Sequence, residues 1–570
     1  MAGAGTLCGT GTGPGGLRPA RPAGTGRSRG RLGIPRPRGF EPRTARGFAS
    51  RPAAPGRTGW DMRPPRRLAS GPGRSGAVRF APGRGGVMIR RFDLLILGGG
   101  IFGATAVWHA ARRGLRVLLV ERDDFGAGAS SSSMKILHGG LRYLQTLHLR
   151  RSLESVRERR RLMRLAPDLV RLVPFQIDLR GRSALYRAAL RAGLFVNDML
   201  GRADAAMVRS HAAAPLRRPT AGLHSTAAGR PPAGTAPSDS PVWYEVQACD
   251  TERLLLNFLH AATRQEGGAV VCNHATAREL RREGGAYRAA VPGAGEVAAG
   301  AVLRCTGPRR RPGGTVVSLN LLFDELPLNR GGSALALRHP RDGRNLFCVP
   351  WRGRTIAGTY DRVYPYPPDE PFRLDGEWID ETLAWLRAAH GDLAPLNRRD
   401  VRFVHAGILP GRGGGTAPAA RDRVERLEDG SWAVEGVKWT TACAVTERAV
   451  ERAVRDLDAP PPPPAAEEPL PDTEHERDQW CRAAAGGDAR VGPPEAGLHR
   501  GEILFAVRRE WARTLADVLL RRTGTASAGY PGDELVAAAA DVLQAELGWS
   551  PEERRAQVAA FDGDFHFGRA

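Results

Sequence analysis

The chain has 570 residues, 42% of them hydrophobic, and its 84 basic and 60 acidic side chains give a formal net charge of +24. This length is enough for about three or four domains with a sizeable core. The ordinary apolar fraction excludes a wholly disordered chain, a collagen and a coiled coil. A strongly basic balance is typical of nucleic-acid-binding proteins, so the position of the charge decides its meaning.

Most of the excess charge lies in residues 1–87, which contain 17 arginines and only two acids, a net charge of +15. This segment is rich in Gly, Pro and Ala and has no apolar periodicity, which predicts a disordered extension. A nucleic-acid-binding arm would carry interleaved aromatic residues, and a transit peptide would form an amphipathic helix that these prolines and glycines disfavour. We favour a third interpretation, in which the native chain starts at Met88. The remainder carries only +9, so we expect no nucleic-acid partner.

The seven cysteines show no CxxC spacing. In a large chain with an odd number of cysteines, this pattern indicates thiols in a reducing compartment, and neither a disulfide framework nor a metal site is predicted. No run of about 20 apolar residues lacks glycine or charge, so no membrane-spanning helix is predicted.

The first folded elements follow a β-α-β pattern. Residues 92–97 and 115–120 are predicted strands, and residues 104–113 are a predicted helix. The run GGGIFG at residues 98–103, here called the glycine turn, allows a pyrophosphate to approach the helix N-terminus, and an acid after the second strand accepts hydrogen bonds from a ribose. The pattern predicts a dinucleotide site. Its predicted ligand residues are Gly98, Gly100, Gly103 and Glu121.

Four consecutive serines, residues 130–133, here called the serine loop, follow Glu121 closely enough to lie beside a bound cofactor. Their hydroxyls suit hydrogen bonds to phosphate, ribitol or ring edges. Further on, His138 can take up a proton near neutral pH, Arg142 suits an anionic substrate and Tyr143 suits a hydroxyl contact. The alternative interpretation is a polar surface loop.

The middle of the chain is predicted from its patterns alone. Residues 150–200 are predicted to be helical and basic, and the amphipathic stretch 183–200 fits either an anionic membrane surface or, more commonly, a core helix with a basic outer face. Residues 202–240 are predicted to be a polar loop. Helix and strand alternate over residues 250–306, and a mixed β region follows to about residue 440.

A strand at residues 297–303 leads into Thr306, Gly307 and Pro308, a run that any surface turn could share. The run GVKWTT at residues 436–441, here called the lysine–threonine segment, precedes a predicted helix, which its threonines are expected to cap. The positive helix end and Lys438 would stabilise negative charge on a reduced flavin ring.

The C-terminal part begins after a predicted helix at residues 445–457. A proline run makes residues 458–475 a predicted linker. Residues 476–570 are predicted to be a small helical domain, with one helix at residues 502–522.

Of the 84 basic residues, 82 are arginines and two are lysines, Lys135 and Lys438. Such a bias indicates a coding preference for Arg at positions where either cation suffices. A retained lysine therefore indicates a position that requires the compact ammonium group. The alternative is that both lysines are retained by chance. Both lysines lie in segments that look like ligand loops.

Together these segments resemble the FAD-dependent, respiratory glycerol-3-phosphate dehydrogenases, a family of the amino-acid-oxidase-like flavoproteins, over nearly all of residues 90–560. The most specific match is the run KILHGGLRY at residues 135–143. The other matching segments are the glycine turn with Glu121, and residues 250–254, 306–308, 350–351, 358–361, 436–441, 510–513 and 521–523.

The resemblance implies an α/β fold: a Rossmann-like FAD-binding domain and a mixed-sheet substrate domain interleaved in residues 88–457, with a helical domain at residues 476–570. It implies FAD as the cofactor, its ADP half held by the glycine turn and Glu121. The further FAD contacts that it implies are Ser130, Ser131 and Lys135 along the flavin, Thr306 and Gly307 near the pyrophosphate, and Thr441 near the ring. The implied catalytic residues are His138, Lys438, Arg142 and Tyr143.

The implied reaction is oxidation of the secondary alcohol of glycerol 3-phosphate to dihydroxyacetone phosphate by hydride transfer to the flavin. His138 is the first candidate for the base and Lys438 is the second. The implied electron acceptor is a membrane quinone, and the protein is expected in the cytoplasm. The resemblance leaves open whether it lies peripherally on the inner face of the cell membrane and whether it forms a homo-oligomer.

One position departs from the family pattern. The family carries Gly-Val-Arg-Pro-Leu, whose arginine binds the substrate phosphate, whereas this chain has GILPG at residues 407–411, with Leu409 in the arginine's place. Losing such a bidentate partner costs on the order of 3 kcal/mol. Either Arg412 substitutes for it, or the enzyme oxidises an unphosphorylated hydroxy acid or amine.

Overall fold

The computed structural model describes residues 89–138, 149–177, 183–194, 242–309, 314–329, 332–338, 345–459, 461–484 and 486–565. The predicted extension at 1–87, the predicted loop at 202–240, Arg142 and Tyr143 lie outside the described residues. The strands are β1 (Arg90–Leu97), β2 (Val117–Val120), β3 (Ile136–Leu137), β4 (Val170–Ile177), β5 (Val242–Ala248), β6 (Ala269–Cys272), β7 (Arg278–Glu283), β8 (Ala286–Val291), β9 (Gly295–Arg304), β10 (Thr315–Asp324), β11 (Ala334–Arg338), β12 (Asn345–Trp351), β13 (Arg354–Tyr364), β14 (Val401–Pro410), β15 (Arg423–Arg426) and β16 (Trp432–Glu435). The α-helices are α1 (Ile101–Ala111), α2 (Leu149–Leu165), α3 (Thr251–Thr263), α4 (Gly376–Ala389), α5 (Ala442–Ala453), α6 (Thr473–Ala483), α7 (Arg500–Arg509), α8 (Asp533–Leu547) and α9 (Pro551–Gly563), and residues 184–194 are also helical.

The first sheet is a parallel sheet with covered faces. Its strand order is β15-β16-β9-β1-β2-β6, with parallel pairing from β16 to β6, and β7 and β8 join it antiparallel beside β9. Leu94 and Ile96 of β1 pack with α1, α3 and α5, whereas Leu95 packs with residues of β8 and β9. Because parallel strands end at the same edge, the residues that follow β1, β2 and β9 meet there.

The second sheet is mostly antiparallel. Its order is β14-β10-β13-β12-β11-β4-β5-β3, with β4 and β11 parallel. β10 is buried along almost its whole length because β13 and β14 flank it and α4 covers one of its faces.

The two faces of β14 have different environments. Val404, Ala406 and Ile408 pack in the cluster of Trp378. Successive side chains of a strand point to opposite faces, so His405, Gly407 and Leu409 share the other face. On that face, a Cβ at Gly407 would lie 2.8 Å from the Cα of Ala129, which places the serine loop directly against the strand.

The C-terminal helices form a hydrophobic cluster of their own. α7, α8 and α9, with a π-helical turn at Asp517–Arg522, bury residues such as Leu515, Leu535 and Phe561. Phe403 of β14 packs against this cluster. The α/β class with two sheets and C-terminal helices is as expected.

Three predicted segments were wrong in detail. The stretch 150–200, predicted to be helical, is helical at residues 149–165 and 184–194, but residues 170–177 form β4, which pairs with β5. The predicted helix at 502–522 stops at Arg509 because Trp511 adopts a left-handed φ of 61°, and the chain resumes as the π-helical turn. Residues 376–389, predicted within a β region, form α4.

The predicted linker is held along the protein surface. Within it, the backbone N–H of Ala465 donates to Arg112 O (2.8 Å), and that of Leu470 donates to Leu165 O (2.7 Å). The carboxylate of Glu467 accepts hydrogen bonds from Arg112 and Arg161. None of the described helices has the length and apolar character needed to cross a bilayer.

Candidate active site

The glycine turn joins β1 to α1 with almost no space for side chains. Gly98 has a φ of 101°, and a Cβ there would overlap the carbonyl oxygen of Cys305, which follows β9. A Cβ at Gly103 would overlap the carbonyl oxygen of Gly98. The turn therefore needs glycine at both positions for strand, helix and the neighbouring strand end to pack this closely.

The N-terminus of α1 offers hydrogen-bond donors at this turn. No side chain of Gly100 can cap the helix, and Ser130 Oγ instead accepts from the N–H of Ile101 (2.9 Å). Among the residues that the structure describes, the N–H groups of Gly100 and Phe102 have no hydrogen-bond partner. Unpaired donors at the positive end of a helix favour an anionic ligand such as a pyrophosphate.

Glu121 lies against the glycine turn, as the β-α-β pattern predicted. Its carboxylate accepts hydrogen bonds from the N–H of Gly99 and, at 2.8 Å, from the N–H of Asp123. Burial raises the pKa of Glu121, and these backbone donors oppose that rise. An acceptor carboxylate beside the unpaired donors of α1 fits the ADP half of FAD.

Thr306 and Gly307 follow β9 at the edge of the first sheet where β1 and β2 also end. The N–H of Cys305 donates to Leu97 O (2.7 Å), so the end of β9 is tied to the end of β1. Thr306 is exposed, and Gly307 has a φ of 81° with no atom within 4 Å of a Cβ placed there. These two residues therefore lie beside the glycine turn with space in front of Gly307, and their contact with the pyrophosphate stays a prediction.

The serine loop is held from several sides. Ser130 Oγ binds the start of α1, and Ser130 O accepts from the indole N–H of Trp439 (2.8 Å). The N–H of Ser131 donates to Gly126 O (3.2 Å) and to Gly128 O (3.3 Å). The loop thus lies between α1, β14 and the lysine–threonine segment, and its contact with the flavin stays a prediction.

Lys135 differs from the expectation of an ammonium facing the flavin. Its side chain is fully buried, and Nζ donates to Ser131 O, Thr251 Oγ1 and the carboxylate of Glu252. The buried Glu252 in the first turn of α3 explains the difference, because an unpaired carboxylate there would be costly. The ammonium group of Lys135 therefore forms an internal ion pair with the carboxylate of Glu252.

The lysine–threonine segment packs on the glycine turn. A Cβ at Gly436 would overlap the ring of Phe102, so glycine permits this approach. Lys438 is half-buried. The predicted capping by threonine was wrong: Thr441 Oγ1 donates to Asp422 Oδ2 (2.9 Å), and Thr441 makes no side-chain cap on α5. Burial raises the pKa of Asp422, which also accepts from the N–H of Val437 (2.7 Å).

The remaining predicted catalytic residues are only partly described. His138 follows β3, is exposed, and lies 6.1 Å from the ring of Phe347, centroid to centroid. Arg142 and Tyr143 lie outside the described residues. The roles of all three stay predictions.

Leu409 is half-buried on the face of β14 that carries Gly407. The next residue, Pro410, lines a cavity together with Glu435 and three arginines that no sequence motif marked, Arg309, Arg421 and Arg423. Arg309 is paired with Glu425 (2.6 Å) and with Glu435. Arg412, the expected substitute, is exposed and is not among the residues lining this cavity.

A second set of residues missed from sequence joins the first sheet to the C-terminal helices. Asp124 accepts two hydrogen bonds from Arg522 (2.7 Å each) and one from Arg521 (2.6 Å). His274 Nε2 lies 2.8 Å from Asp517 Oδ2. The only signal in the sequence for these contacts was the match of residues 521–523 to the family, since that segment contains Arg521 and Arg522.

Comparison with known proteins gives two matching family profiles and several relatives of similar length. The profile of the FAD-dependent oxidoreductases matches residues 93–452, and that of the C-terminal domain of alpha-glycerophosphate oxidase matches residues 480–554. A glycerol-3-phosphate dehydrogenase of Synechocystis sp. is 28% identical over 542 residues, covering 82% of this chain and 95% of the relative. A D-erythritol 1-phosphate dehydrogenase of Brucella abortus is also 28% identical, over 76% of this chain and 94% of the relative.

Among solved structures, the glycerol-3-phosphate dehydrogenase from Bacillus halodurans complexed with FAD has the same fold. Its TM-score is 0.57 at 20% sequence identity, covering 84% of this chain and 95% of that chain. With its glycine turn, its acceptor carboxylate and a family profile that spans both sheets, the chain belongs to the FAD-dependent oxidoreductases and uses FAD as its cofactor.

Proposed function

We propose that this flavoenzyme oxidises the secondary alcohol of a phosphorylated polyol, with glycerol 3-phosphate as the substrate and dihydroxyacetone phosphate as the product. The observation that carries the proposal is the pair of relatives that match along nearly their whole length. One is named for glycerol 3-phosphate and the other for D-erythritol 1-phosphate. Both names specify a polyol phosphate, and this is the substrate class we assign.

The arginine-lined cavity supports a phosphorylated substrate in spite of Leu409. Arg309, Arg421 and Arg423 line it beside Pro410. Arg309 is balanced by two carboxylates, whereas the structure gives the guanidinium groups of Arg421 and Arg423 no ion-pair partner among the described residues. Guanidinium groups bind phosphate through charge-assisted, often bidentate hydrogen bonds. We propose that they supply the charge that position 409 lacks.

The chemistry divides between the cofactor and the chain. FAD, when bound, supplies the acceptor for the two electrons of the alcohol. We propose that His138 accepts the hydroxyl proton, with Lys438 as the second candidate, and that Arg142 and Tyr143 help to hold the substrate. Gly98, Gly100, Gly103, Glu121, Thr306 and Gly307 would hold the ADP half and pyrophosphate of FAD, and Ser130, Ser131 and Thr441 would lie nearer its ring.

Two other proposals concern partners. We propose a membrane quinone as the electron acceptor and peripheral attachment to the inner face of the cell membrane. The helical residues 184–194 support attachment, because Leu185 is 80% exposed beside Arg187 and Arg191. Assembly into a homo-oligomer is a proposal that rests only on the resemblance.

Substrate choice is tested by steady-state turnover with an artificial electron acceptor. Glycerol 3-phosphate, D-erythritol 1-phosphate, glycerol and lactate are compared on the same FAD-loaded preparation. We expect kcat/KM to be highest for glycerol 3-phosphate and lowest for the two unphosphorylated compounds. A preference for D-erythritol 1-phosphate would keep the substrate class, a polyol phosphate, but change the assigned substrate. A preference for lactate would contradict the proposed substrate class.

The arginine cavity is tested by Arg421→Gln and Arg423→Gln. Each loses a charge-assisted hydrogen bond, so we expect kcat/KM for glycerol 3-phosphate to fall by about 10- to 100-fold. The control is Arg426→Gln at the other end of β15, whose guanidinium pairs with Asp456. An unchanged kcat/KM in both cavity variants would exclude this cavity as the phosphate site.

The base is tested by His138→Ala. We expect the visible spectrum of bound FAD to remain and reduction by substrate to slow by about 10²- to 10⁴-fold, as for loss of a general base. His475→Ala on α6 serves as the control. Reduction at the wild-type rate would show that His138 is not the base.

A further inference from the structure

Residues 121–126, here called the β2 loop, run from the end of β2 along the glycine turn. Both ends of the loop are bonded to Gly99: the carboxylate of Glu121 accepts from the N–H of Gly99, and the N–H of Gly126 donates to Gly99 O (3.1 Å). A Cβ at Gly99 would lie 2.6 Å from Cδ1 of Phe125, so the ring of Phe125 packs directly on the turn. The position of the glycine turn therefore depends on the position of the β2 loop.

Asp124 lies inside the β2 loop, and its side chain is fully buried. Its carboxylate accepts two hydrogen bonds from Arg522 (2.7 Å each), one from Arg521 (2.6 Å) and one from Asn273 (2.8 Å). The two arginines belong to the π-helical turn, 397 and 398 residues further along the chain. Within the described ranges, every ion pair of Asp124 is with this turn. Because a buried carboxylate without its cations is costly, the folded position of the loop needs the C-terminal helices.

A second contact joins the same two segments. The ring of Trp511 packs edge-on against that of Phe125, with 5.8 Å between the ring centroids. Arg522 Nε donates to Glu510 O (2.8 Å), which ties the arginine to the chain beside Trp511. The C-terminal segment thus contacts the β2 loop at two successive side chains, one charged and one aromatic.

We propose that Arg521 and Arg522 are positioning residues of the FAD site, which hold the β2 loop against the glycine turn through Asp124. Their guanidinium groups bind carboxylates, so they act on FAD binding through the loop and without touching the cofactor. The proposal deepens the proposed function and rests on its FAD site. It adds the requirement that the C-terminal helices be docked on the first sheet for FAD to bind tightly.

Docking of the helices and binding of FAD then favour each other. Such a coupling is reciprocal, and a typical one changes an affinity by about 5- to 150-fold. If the docked turn strengthens FAD binding, bound FAD stabilises the docked turn to the same extent. The two directions can be measured separately.

Fluorescence titration with FAD measures the first direction. R522Q removes charge-assisted hydrogen bonds from Asp124, and we expect the Kd of FAD to rise by about 5- to 150-fold. The matched control is R159Q, which removes the cation from Glu245, another buried carboxylate, in an ion pair between α2 and β5. We expect the control to leave the Kd unchanged.

D124N and D124N/R522Q complete a double-mutant cycle. If Arg522 acts through Asp124, R522Q raises the Kd of FAD less in the D124N background than in wild type, because the two effects are coupled. D124N/R522Q leaves no carboxylate unpaired at this position, so it replaces R522Q in the titration if R522Q does not fold.

Hydrogen exchange of the wild-type protein with and without FAD measures the second direction. We expect bound FAD to slow amide exchange in residues 510–522, since it stabilises the docked turn. This measurement needs no variant and decides alone if neither R522Q nor D124N/R522Q folds.

The proposal would be overturned by a wild-type Kd in R522Q or its replacement, by an equal rise in R159Q, by additive effects in the cycle, or by exchange in residues 510–522 that FAD does not alter. Gly103→Ala in the same titration keeps this failure apart from failure of the FAD site. Wild-type binding by Gly103→Ala would contradict the FAD site itself. Loss of binding by Gly103→Ala together with unchanged binding by R522Q would overturn only the role of the arginines.

Discussion

At the scale of single residues, the glycine turn is specified by contacts that a side chain would block. Gly98 and Gly103 leave no room for a Cβ against the backbone of the neighbouring segments. The tight turn could be predicted from the sequence because it, the following helix and Glu121 lie within one short stretch of chain, and the contact of these glycines with FAD stays a prediction.

Gly103→Ala is predicted to abolish FAD binding, because its Cβ would overlap the carbonyl oxygen of Gly98 and separate the turn from α1. Fluorescence titration with FAD measures the effect. Gly128→Ala is the control, since no atom lies within 4 Å of a Cβ at that position. FAD binding of wild-type strength by Gly103→Ala would show that the turn is not the cofactor site.

The buried environment of Lys135 could not be predicted in the same way. The scarcity of lysine in an arginine-rich chain correctly marked this residue as unusual, but its partner Glu252 is 117 residues away in sequence. Only the tertiary fold brings them together. For the same reason the arginines at the cavity, which come from two segments more than 100 residues apart, gave no local pattern.

At the scale of elements, buried ion pairs attach the C-terminal helices to the FAD-binding sheet. Arg253 of α3 binds the carboxylate of Glu510 and, at 2.6 Å, the carbonyl of Arg522. Burial alone would raise the pKa of Glu510, but Arg253 more than offsets it, and the pKa is lowered. The charged pair is therefore part of the folded state at neutral pH.

Arg253→Met is predicted to destabilise the protein by about 3–5 kcal/mol, because it leaves Glu510 buried without its partner. Arg264→Met is the control: this residue directly follows α3, and its pair with Glu476 of α6 is exposed and worth about 0–1 kcal/mol. Denaturant unfolding of both variants checks the difference. Equal losses would contradict a structural role for the buried pair.

The pair of His274 and Asp517 predicts a pH dependence of stability. Burial would lower the pKa of His274, but its bond to Asp517 raises it above the ordinary 6.5. A raised pKa in the folded state stabilises the protein below the ordinary value, and this contribution is lost as pH rises through the raised pKa. The melting temperature of wild type should therefore exceed that of His274→Gln more at about pH 5.5 than at about pH 9. A difference that is the same at both pH values would contradict this.

At the scale of the whole molecule, periodicity and one local motif predicted the first β-α-β unit and the C-terminal helices, and the family resemblance implied the α/β class with its two kinds of sheet. Periodicity placed β4 in a helix because the basic helical pattern of residues 149–165 was extended across the strand that follows, which contains a single arginine. The domain boundaries stay predictions. The contacts of Glu467 with Arg112 and Arg161 show that the predicted linker segment is tied to α1 and α2.

The central claim is that this chain holds FAD at the glycine turn and reduces it with a polyol phosphate. Anaerobic titration of the purified, FAD-loaded protein with glycerol 3-phosphate tests it most directly. The account predicts bleaching of the visible flavin absorption, with one dihydroxyacetone phosphate formed for each flavin reduced. A protein that stays yellow with both glycerol 3-phosphate and D-erythritol 1-phosphate, yet is bleached by an unphosphorylated hydroxy acid or amine, would contradict it.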